Sequence, residues 1–142
     1  MVGMEILQPV IVLAAWTMVM WAWMYGTRIP AMAARKVDPD SLAHDPDASL
    51  DRVLPPQVQW KAHNYNHLHE APTVFYAVAI VLAITGQGDG YNALLGWIYV
   101  AARVVHSLVQ ATVNRVVVRF AVFVFSSLVL IILIARAAMA VV

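Results

Sequence analysis

Residues 116–135 read VVVRFAVFVFSSLVLIILIA, a stretch in which Arg119 is the only charged residue. The hydrocarbon core of a bilayer is spanned by an α-helix of about 20 mostly apolar residues. The stretch is long enough and apolar enough for that purpose. It therefore predicts a transmembrane helix, which we extend to residues 116–139.

The composition of the whole chain agrees with this interpretation. Of the 142 residues, 62% are hydrophobic and only 12% are charged, whereas soluble domains average roughly 45–50% apolar and about 25% charged residues. The net charge of +1 gives no reason to expect a nucleic-acid partner, and the absence of cysteine excludes disulfides and thiolate metal ligands. The chain is predicted to be one integral membrane domain, residues 1–142.

Three further apolar segments precede the first one considered. The turn sequence GQGDG at residues 86–90 separates two of them, and the polar residues 112–115 separate the last two segments. Gly26 and Pro30 mark the expected end of the first helix. The sequence thus predicts an all-α integral membrane protein, a four-helix bundle with helices at about residues 5–25, 60–84, 91–111 and 116–139.

The distribution of basic residues predicts the orientation in the membrane. Residues 28–59 form the only long loop and carry several arginines and a lysine, whereas the turn at residues 86–90 carries no basic residue. Lys and Arg accumulate in cytoplasmic loops. The long loop and the turn before Arg119 are therefore expected in the cytoplasm, and both termini on the other side.

Two of the predicted membrane helices carry a stripe of polar residues. Polar side chains at this depth are tolerated only where they face the protein interior or a water-filled cavity. At about 100° per residue, the second predicted helix places four polar residues of KAHNYNHLHEAP (residues 61–72) within about one 100° arc. The third predicted helix has a similar stripe. Facing each other, the two stripes predict a polar pocket that opens to the cytoplasm; they consist of His63, Asn66, His67 and Glu70 on one helix and Arg103, His106, Ser107, Gln110 and Asn114 on the other.

The residues of these stripes allow more than one interpretation. A carboxylate at this depth needs a cation partner, and Arg103 is the expected partner of Glu70, either as a structural ion pair or as a pair that also lines a ligand site. A metal site is a further alternative, since His and carboxylate groups suit zinc or non-haem iron. Its ligands would be His63, His67, Glu70 and His106. The segment lacks the HExxH signature, and an arginine in the pocket disfavours a metal cation.

Three segments resemble the MAPEG superfamily, the membrane-associated proteins in eicosanoid and glutathione metabolism. They are GTR at residues 26–28 followed by VDPDSL, then KAHNYNHLHEAPTVFY at residues 61–76, and WIYVAARVVHSLVQATVNRVVVRF at residues 97–120. The likeness covers nearly the whole chain and is closest to microsomal glutathione transferase and its bacterial relatives. The spacing of Arg103, His106 and Arg119 is its most specific part.

The resemblance implies a homotrimer that binds glutathione between neighbouring subunits near the cytoplasmic face. It implies a transferase or peroxidase in a bacterial inner membrane that uses glutathione as co-substrate, needs no metal, and acts on lipophilic electrophiles arriving through the membrane lipids. Arg119 would lower the pKa of the glutathione thiol and favour the thiolate. The implied glutathione-binding residues are Arg28, Lys61, His63, Asn66, Glu70, Arg103, His106 and Gln110.

A second hypothesis comes from positions where the sequence departs from the family pattern. Asn66 and Glu70 are four residues apart instead of three, Lys61 replaces the usual arginine, and Gln110 stands where many members have a tyrosine. These departures favour a non-catalytic membrane subunit or a lipid-binding scaffold with the same fold.

Overall fold

The computed structural model describes residues 1–45, 47 and 49–142, and these residues form helices and no strand. Four helical segments are long and apolar enough to cross a membrane: Leu7–Ala34, Pro56–Ile84, Tyr91–Ala111 and Val116–Val141. The predicted all-helical fold with four membrane-spanning segments is thereby confirmed for the described residues. The helices are α1 (Leu7–Ala34), α2 (Ser41–His44), α3 (Leu50–Val53), α4 (Pro56–His67), α5 (Ala71–Ile84), α6 (Tyr91–Ala111) and α7 (Val116–Val141).

Helix α1 is longer than the sequence predicted. It continues through Pro30 to Ala34 instead of ending near Tyr25, so the long polar loop begins at residue 35 and not at residue 28. A proline removes one helical hydrogen bond, but α1 packs along α4 over this region. Arg28 in the added turns donates from Nη2 to Oε1 of the buried Gln59 at 3.2 Å. Packing against α4 therefore extends the helix past a residue that usually ends one.

The second predicted helix begins at Pro56, four residues earlier than expected, and it is broken into α4 and α5. Residues 68–70 form the break, and Glu70 has φ −93° and ψ −105°, outside the helical region. Pro72 lies in the first turn of α5, where proline is favoured, and it disfavours helical geometry in the residue before it. The constant rotation of 100° per residue does not continue to Glu70. Glu70 therefore lies outside the helix that carries His63 and His67, although it still bonds His67 across the break, so the single helical arc predicted for the three residues does not form.

Helix α6 is the central helix of the bundle. It packs against α1, α4 and α7. A larger share of its residues is buried than in α1 or α7. Around it lies an apolar core in which the rings of Phe75 and Tyr99 stack with centroids 4.5 Å apart. The core is closed by Leu13, Met20, Leu82 and Leu133, all fully buried. A polar face on α6 is consequently held inside the protein.

The N-terminal segment is tied to the turn between α5 and α6. The Gly3 amide donates to Ala83 O at 2.8 Å, and the Ile6 amide donates to Gly88 O at 2.9 Å. A Cβ at Gly88 would lie 2.1 Å from Gly3 O, so only glycine permits this close approach. These bonds fix the end of the bundle at which α7 terminates, opposite the end that carries Arg119.

Candidate functional site

From Tyr99 to its C-terminal end, one face of α6 carries five buried polar side chains. Their spacing of three and four residues places them on the same side of a helix. Each is at most 8% exposed, so the stripe predicted on the third helix lies inside the bundle from Arg103 to Gln110. Tyr99, which precedes Arg103 by one helical turn, is a further member of it. Asn114 lies beyond the end of α6, in the turn that leads to α7. The buried residues are Tyr99, Arg103, His106, Ser107 and Gln110.

Arg103 is the most unusual member of this face. It is 1% exposed, and within the described part of the chain its three guanidinium nitrogens have no hydrogen-bond partner. The expected partner, Glu70, instead accepts a bond from His67, with Oε2 3.0 Å from Nδ1, and its side chain is 67% exposed. The predicted Glu70–Arg103 ion pair is therefore wrong for the single chain, because the break after α4 turns Glu70 outward.

Neighbouring polar groups share this lack of partners. In the described residues, no hydrogen bond reaches the Tyr99 hydroxyl, the Ser107 hydroxyl, Nδ1 of His106, Oε1 of Gln110 or the amide of Asn64. Leaving one buried polar group unbonded costs about 1–3 kcal/mol, and a charged group costs more. Such a face is suited to a ligand, or to a neighbouring subunit, that supplies several acceptors and donors at once.

A cavity of about 260 Å³ adjoins this polar face and is open on one side. One wall is polar and comes from α4 and α6; the other is largely apolar and comes from α7. The rings of His67 and His106 stack in the polar wall with centroids 4.9 Å apart, and Phe123 lies 5.9 Å from the His67 ring. The cavity can hold a polar group beside an apolar one; it is lined by His67, His106, Gln110, Val116, Arg119, Phe120 and Phe123.

The turn between α6 and α7 holds Arg119 at this cavity. Asn114 has φ +48°, a left-handed conformation that asparagine tolerates better than most residues. Its backbone amide donates to Val109 O at 2.6 Å, and its side-chain oxygen accepts a hydrogen bond from Nη1 of Arg119. The turn thus fixes the guanidinium of Arg119 through one asparagine side chain.

Two of the predicted basic site residues are engaged in holding helices together. Nζ of Lys61 donates to Gln57 O at 2.9 Å and to Ala111 O at 3.2 Å. It also lies 5.2 Å from the centre of the Trp23 ring, within the range of a cation–π contact. Lys61 therefore bonds a carbonyl at the C-terminal end of α6, as Arg28 bonds α4, and neither residue lines the cavity.

The remaining predicted residues of the second helix also lie outside the cavity. His63 is exposed, and its Nε2 is 3.0 Å from Oδ1 of Asp51 in α3. Asn66 and Glu70 are exposed, so His67 is the member of the predicted arc that lines the cavity. His63 and Asn66 face away because α4 buries Gln59, Ala62 and Asn64 instead, and Glu70 faces away because of the break after α4.

The apolar wall of the cavity was missed in the sequence interpretation. Val116, Phe120 and Phe123 occupy positions i, i+4 and i+7 of α7, and Arg119 occupies i+3. That spacing marks one helical face, so the three apolar residues share a side with Arg119. The pattern was readable from the sequence, but the high hydropathy of every neighbouring position concealed it.

The metal alternative requires ligands that the fold does not bring together. His63 pairs with Asp51, and His67 pairs with Glu70. Across residues 1–45, 47 and 49–142, no group of three or more His, Asp or Glu side chains is placed to hold a metal ion. Of the four ligands proposed from the sequence, His63 pairs with Asp51, apart from His67 and Glu70, which bond each other.

Comparison with known proteins assigns the chain at the level of family. The family model described as the MAPEG family matches residues 6–139, which is nearly the whole sequence. No curated protein matches the chain at a significant level.

Proposed function

Because the chain belongs to the MAPEG family, we propose that it is a glutathione-dependent transferase or peroxidase acting on lipophilic electrophiles at the membrane. The family includes glutathione transferases and peroxidases as well as non-catalytic members. Three sequence segments resemble microsomal glutathione transferase and its bacterial relatives, and we propose that the chain shares their activity as well.

The observation that carries the proposal is the buried guanidinium of Arg103, which has no hydrogen-bond partner among the described residues and belongs to a polar face beside an open cavity. Glutathione has two carboxylates, an ammonium group and two amides. A guanidinium binds a carboxylate through two parallel, charge-assisted hydrogen bonds. Arg103 itself does not line the cavity. A carboxylate of bound glutathione would therefore have to reach Arg103 past the lining residues His106 and Gln110, which the amides and the second carboxylate would satisfy.

The two walls of the cavity fit the two substrates of such a reaction. Arg119 would stabilise the glutathione thiolate, since a nearby positive charge lowers the pKa of a thiol. Val116, Phe120 and Phe123 would receive the lipophilic electrophile. In conjugation, the thiolate sulfur bonds to the electrophilic carbon and the leaving group departs with its electron pair. In the peroxidase reaction, two glutathione thiols form a disulfide while a peroxide is reduced to an alcohol and water.

We extend the proposal to a homotrimer with shared sites. The open side of the cavity leaves room for a neighbouring subunit. Several residues that the family resemblance assigns to glutathione are exposed on the outer side of α4 and of the break that follows it: His63 and Asn66 in α4, and Glu70 in the break. A neighbour's cavity would bring these groups to the same ligand, and Glu70 would then accept the glutathione ammonium.

The proposal also places the protein in a bacterial inner membrane, with the segment between α1 and α4 in the cytoplasm. That segment contains Arg35, Lys36 and Arg52, and the α6–α7 turn contains Arg115. Both termini then lie on the other side. Glutathione would reach the cavity from the cytoplasm, and the electrophile would reach it from the lipid.

Glutathione binding is the direct test of this function. We expect calorimetry on the purified, detergent-solubilised protein to give a dissociation constant of roughly 1 mM or tighter, worth about 4 kcal/mol or more. S-methylglutathione is the matched control, because it keeps both carboxylates and the ammonium but has no free thiol. It should bind similarly and give no conjugation. No detectable heat at several millimolar of either compound would reject the proposal.

The second candidate function is a non-catalytic membrane subunit or lipid-binding scaffold. The engagement of Lys61 and Arg28 in contacts between helices favours it, because both side chains already have partners without a ligand. Under this alternative the family fold is kept, and the protein binds no glutathione.

Asn114 offers a further test of the cavity through its bond to Arg119. Asn114→Gly keeps the left-handed backbone and removes the side-chain oxygen, so we expect conjugation to fall about tenfold, the effect of about 1.4 kcal/mol, with stability little changed. Asn114→Ala should lose the same activity and about 1 kcal/mol of stability besides. Turnover with a model electrophile and thermal unfolding separate the two effects. Full activity in the glycine variant would show that the bond does not position Arg119.

A further inference from the structure

A second cavity lies at the opposite end of the bundle from Arg119. It has a volume of about 300 Å³ and is mostly polar. It is formed where the α5–α6 turn, the first turn of α6 and the last turns of α7 meet. Its lining residues are Gln87, Asn92, Arg136, Met139 and Ala140.

Arg136 is held in a fixed orientation at this cavity. Its Nε donates to Oδ1 of Asn92, and Asn92, 3% exposed, donates in turn from Nδ2 to Gln87 O at 2.6 Å. The guanidinium also lies over the Tyr91 ring, 5.2 Å from its centre. A buried amide and an aromatic ring thus fix the guanidinium plane, and no hydrogen bond within the described residues uses its two terminal amino groups.

No carboxylate in the described part of the chain forms an ion pair with Arg136. The ion pairs among the described residues involve His63 and His67 at the other end of the bundle. The two acidic residues near the α5–α6 turn are used by backbone amides. Glu5 Oε2 accepts from Gly90 N at 2.8 Å, and Asp89 Oδ1 accepts from Glu5 N at 2.9 Å.

We propose that Arg136 and this cavity bind a phosphate group at the membrane surface. Nε of Arg136 is held by Asn92, which leaves the two terminal amino groups free. These groups can donate two parallel hydrogen bonds to two oxygens of a phosphate. The position fits a phospholipid headgroup, because α7 ends here, Tyr91 is 57% exposed as interfacial aromatic residues are, and Met139 adds an apolar surface for the start of an acyl chain. The same chemistry would bind inorganic phosphate. The site is separate from the cavity of Arg119 and does not depend on glutathione chemistry.

Native mass spectrometry of the purified protein in detergent tests the proposal with three probes: phosphatidylglycerol, diacylglycerol and inorganic phosphate. We expect the wild-type protein to retain phosphatidylglycerol in preference to diacylglycerol. Arg136→Gln removes the charge and the fork, and it should weaken retention about tenfold or more. Arg136→Lys keeps the charge without the fork and should give an intermediate loss. Arg115→Gln, at an exposed arginine of the other membrane face, is the matched control and should retain lipid like the wild type.

The outcomes distinguish the two sources of phosphate. A headgroup site is supported if the wild type and Arg115→Gln retain phosphatidylglycerol and Arg136→Gln loses it. A free-phosphate site is supported if the wild type binds inorganic phosphate but shows no preference for phosphatidylglycerol, and Arg136→Gln no longer binds phosphate. Equal retention of diacylglycerol and phosphatidylglycerol by the wild type, together with no binding of inorganic phosphate, would overturn the proposal. Unchanged binding of the preferred probe in a folded Arg136→Gln protein would also overturn it. The comparison of the three probes uses the wild type only, so it stays decisive even if the variant does not fold.

Discussion

Arg119→Ala is expected to lower glutathione conjugation about 10²–10³-fold, which is the usual effect of removing one preorganised group that stabilises developing negative charge. The guanidinium of Arg119 lines the cavity and is fixed by Asn114, so under the proposed function it would stabilise the thiolate throughout the reaction. The side chain is only half-buried, and its removal leaves the apolar core intact. We therefore expect the fold and the proposed trimer to survive.

The measurement is turnover with a soluble model electrophile at saturating glutathione, together with the pH dependence of the rate. In wild type the thiolate should form near neutral pH; in Arg119→Ala the rate should rise only toward the ordinary thiol pKa of about 8.5. Arg115→Ala, an exposed arginine in the same turn, is the control and should leave the rate unchanged. The mass of the detergent-solubilised protein shows whether three 15.6 kDa chains remain together. Wild-type turnover in Arg119→Ala would remove this residue from the mechanism.

Arg103→Met is expected to weaken glutathione binding about 100-fold and to leave the unliganded protein as stable as the wild type, or more stable. Methionine fills a similar volume with no polar group to satisfy. Replacing buried charge by packed apolar residues is often neutral or stabilising by about 1–4 kcal/mol. Among the described residues of the single chain, Arg103 is fully buried and has no hydrogen-bond partner, so without a ligand it lowers the stability of the fold. We therefore propose that Arg103 serves ligand binding at a cost to stability.

Thermal unfolding with and without glutathione separates binding from stability. A ligand that binds only the folded state raises its stability with concentration, so wild type should gain several degrees at saturating glutathione and Arg103→Met should gain none. Arg115→Met is the matched control, with the same change in charge at an exposed position. A large fall in the unfolding temperature of ligand-free Arg103→Met, with glutathione binding retained, would contradict the assignment. It would indicate that Arg103 pairs with a neighbouring subunit instead.

The site was only partly predictable from the sequence. Helical periodicity alone places Arg103, His106 and Gln110 on one face, because α6 is regular over its whole length. The same reasoning failed for Glu70, because it assumed that the helix continued through residues 68–70. Sequence spacing also gave no sign that Lys61 bonds the end of α6 at Ala111 O, since that contact joins residues far apart in the chain.

Hydropathy and helical spacing are properties of short segments, and they were sufficient to determine the all-helical fold, its four membrane-spanning segments and the polar face of α6. The extension of α1 past Pro30, the direction of Glu70 and the pairing of Arg136 with Asn92 depend on how the helices are rotated and shifted against one another. Many local sequences are compatible with each such arrangement, so only the packed tertiary structure decided them. For the same reason, the cavity between the polar face of α6 and the aromatic residues of α7 exists only once the two helices are packed.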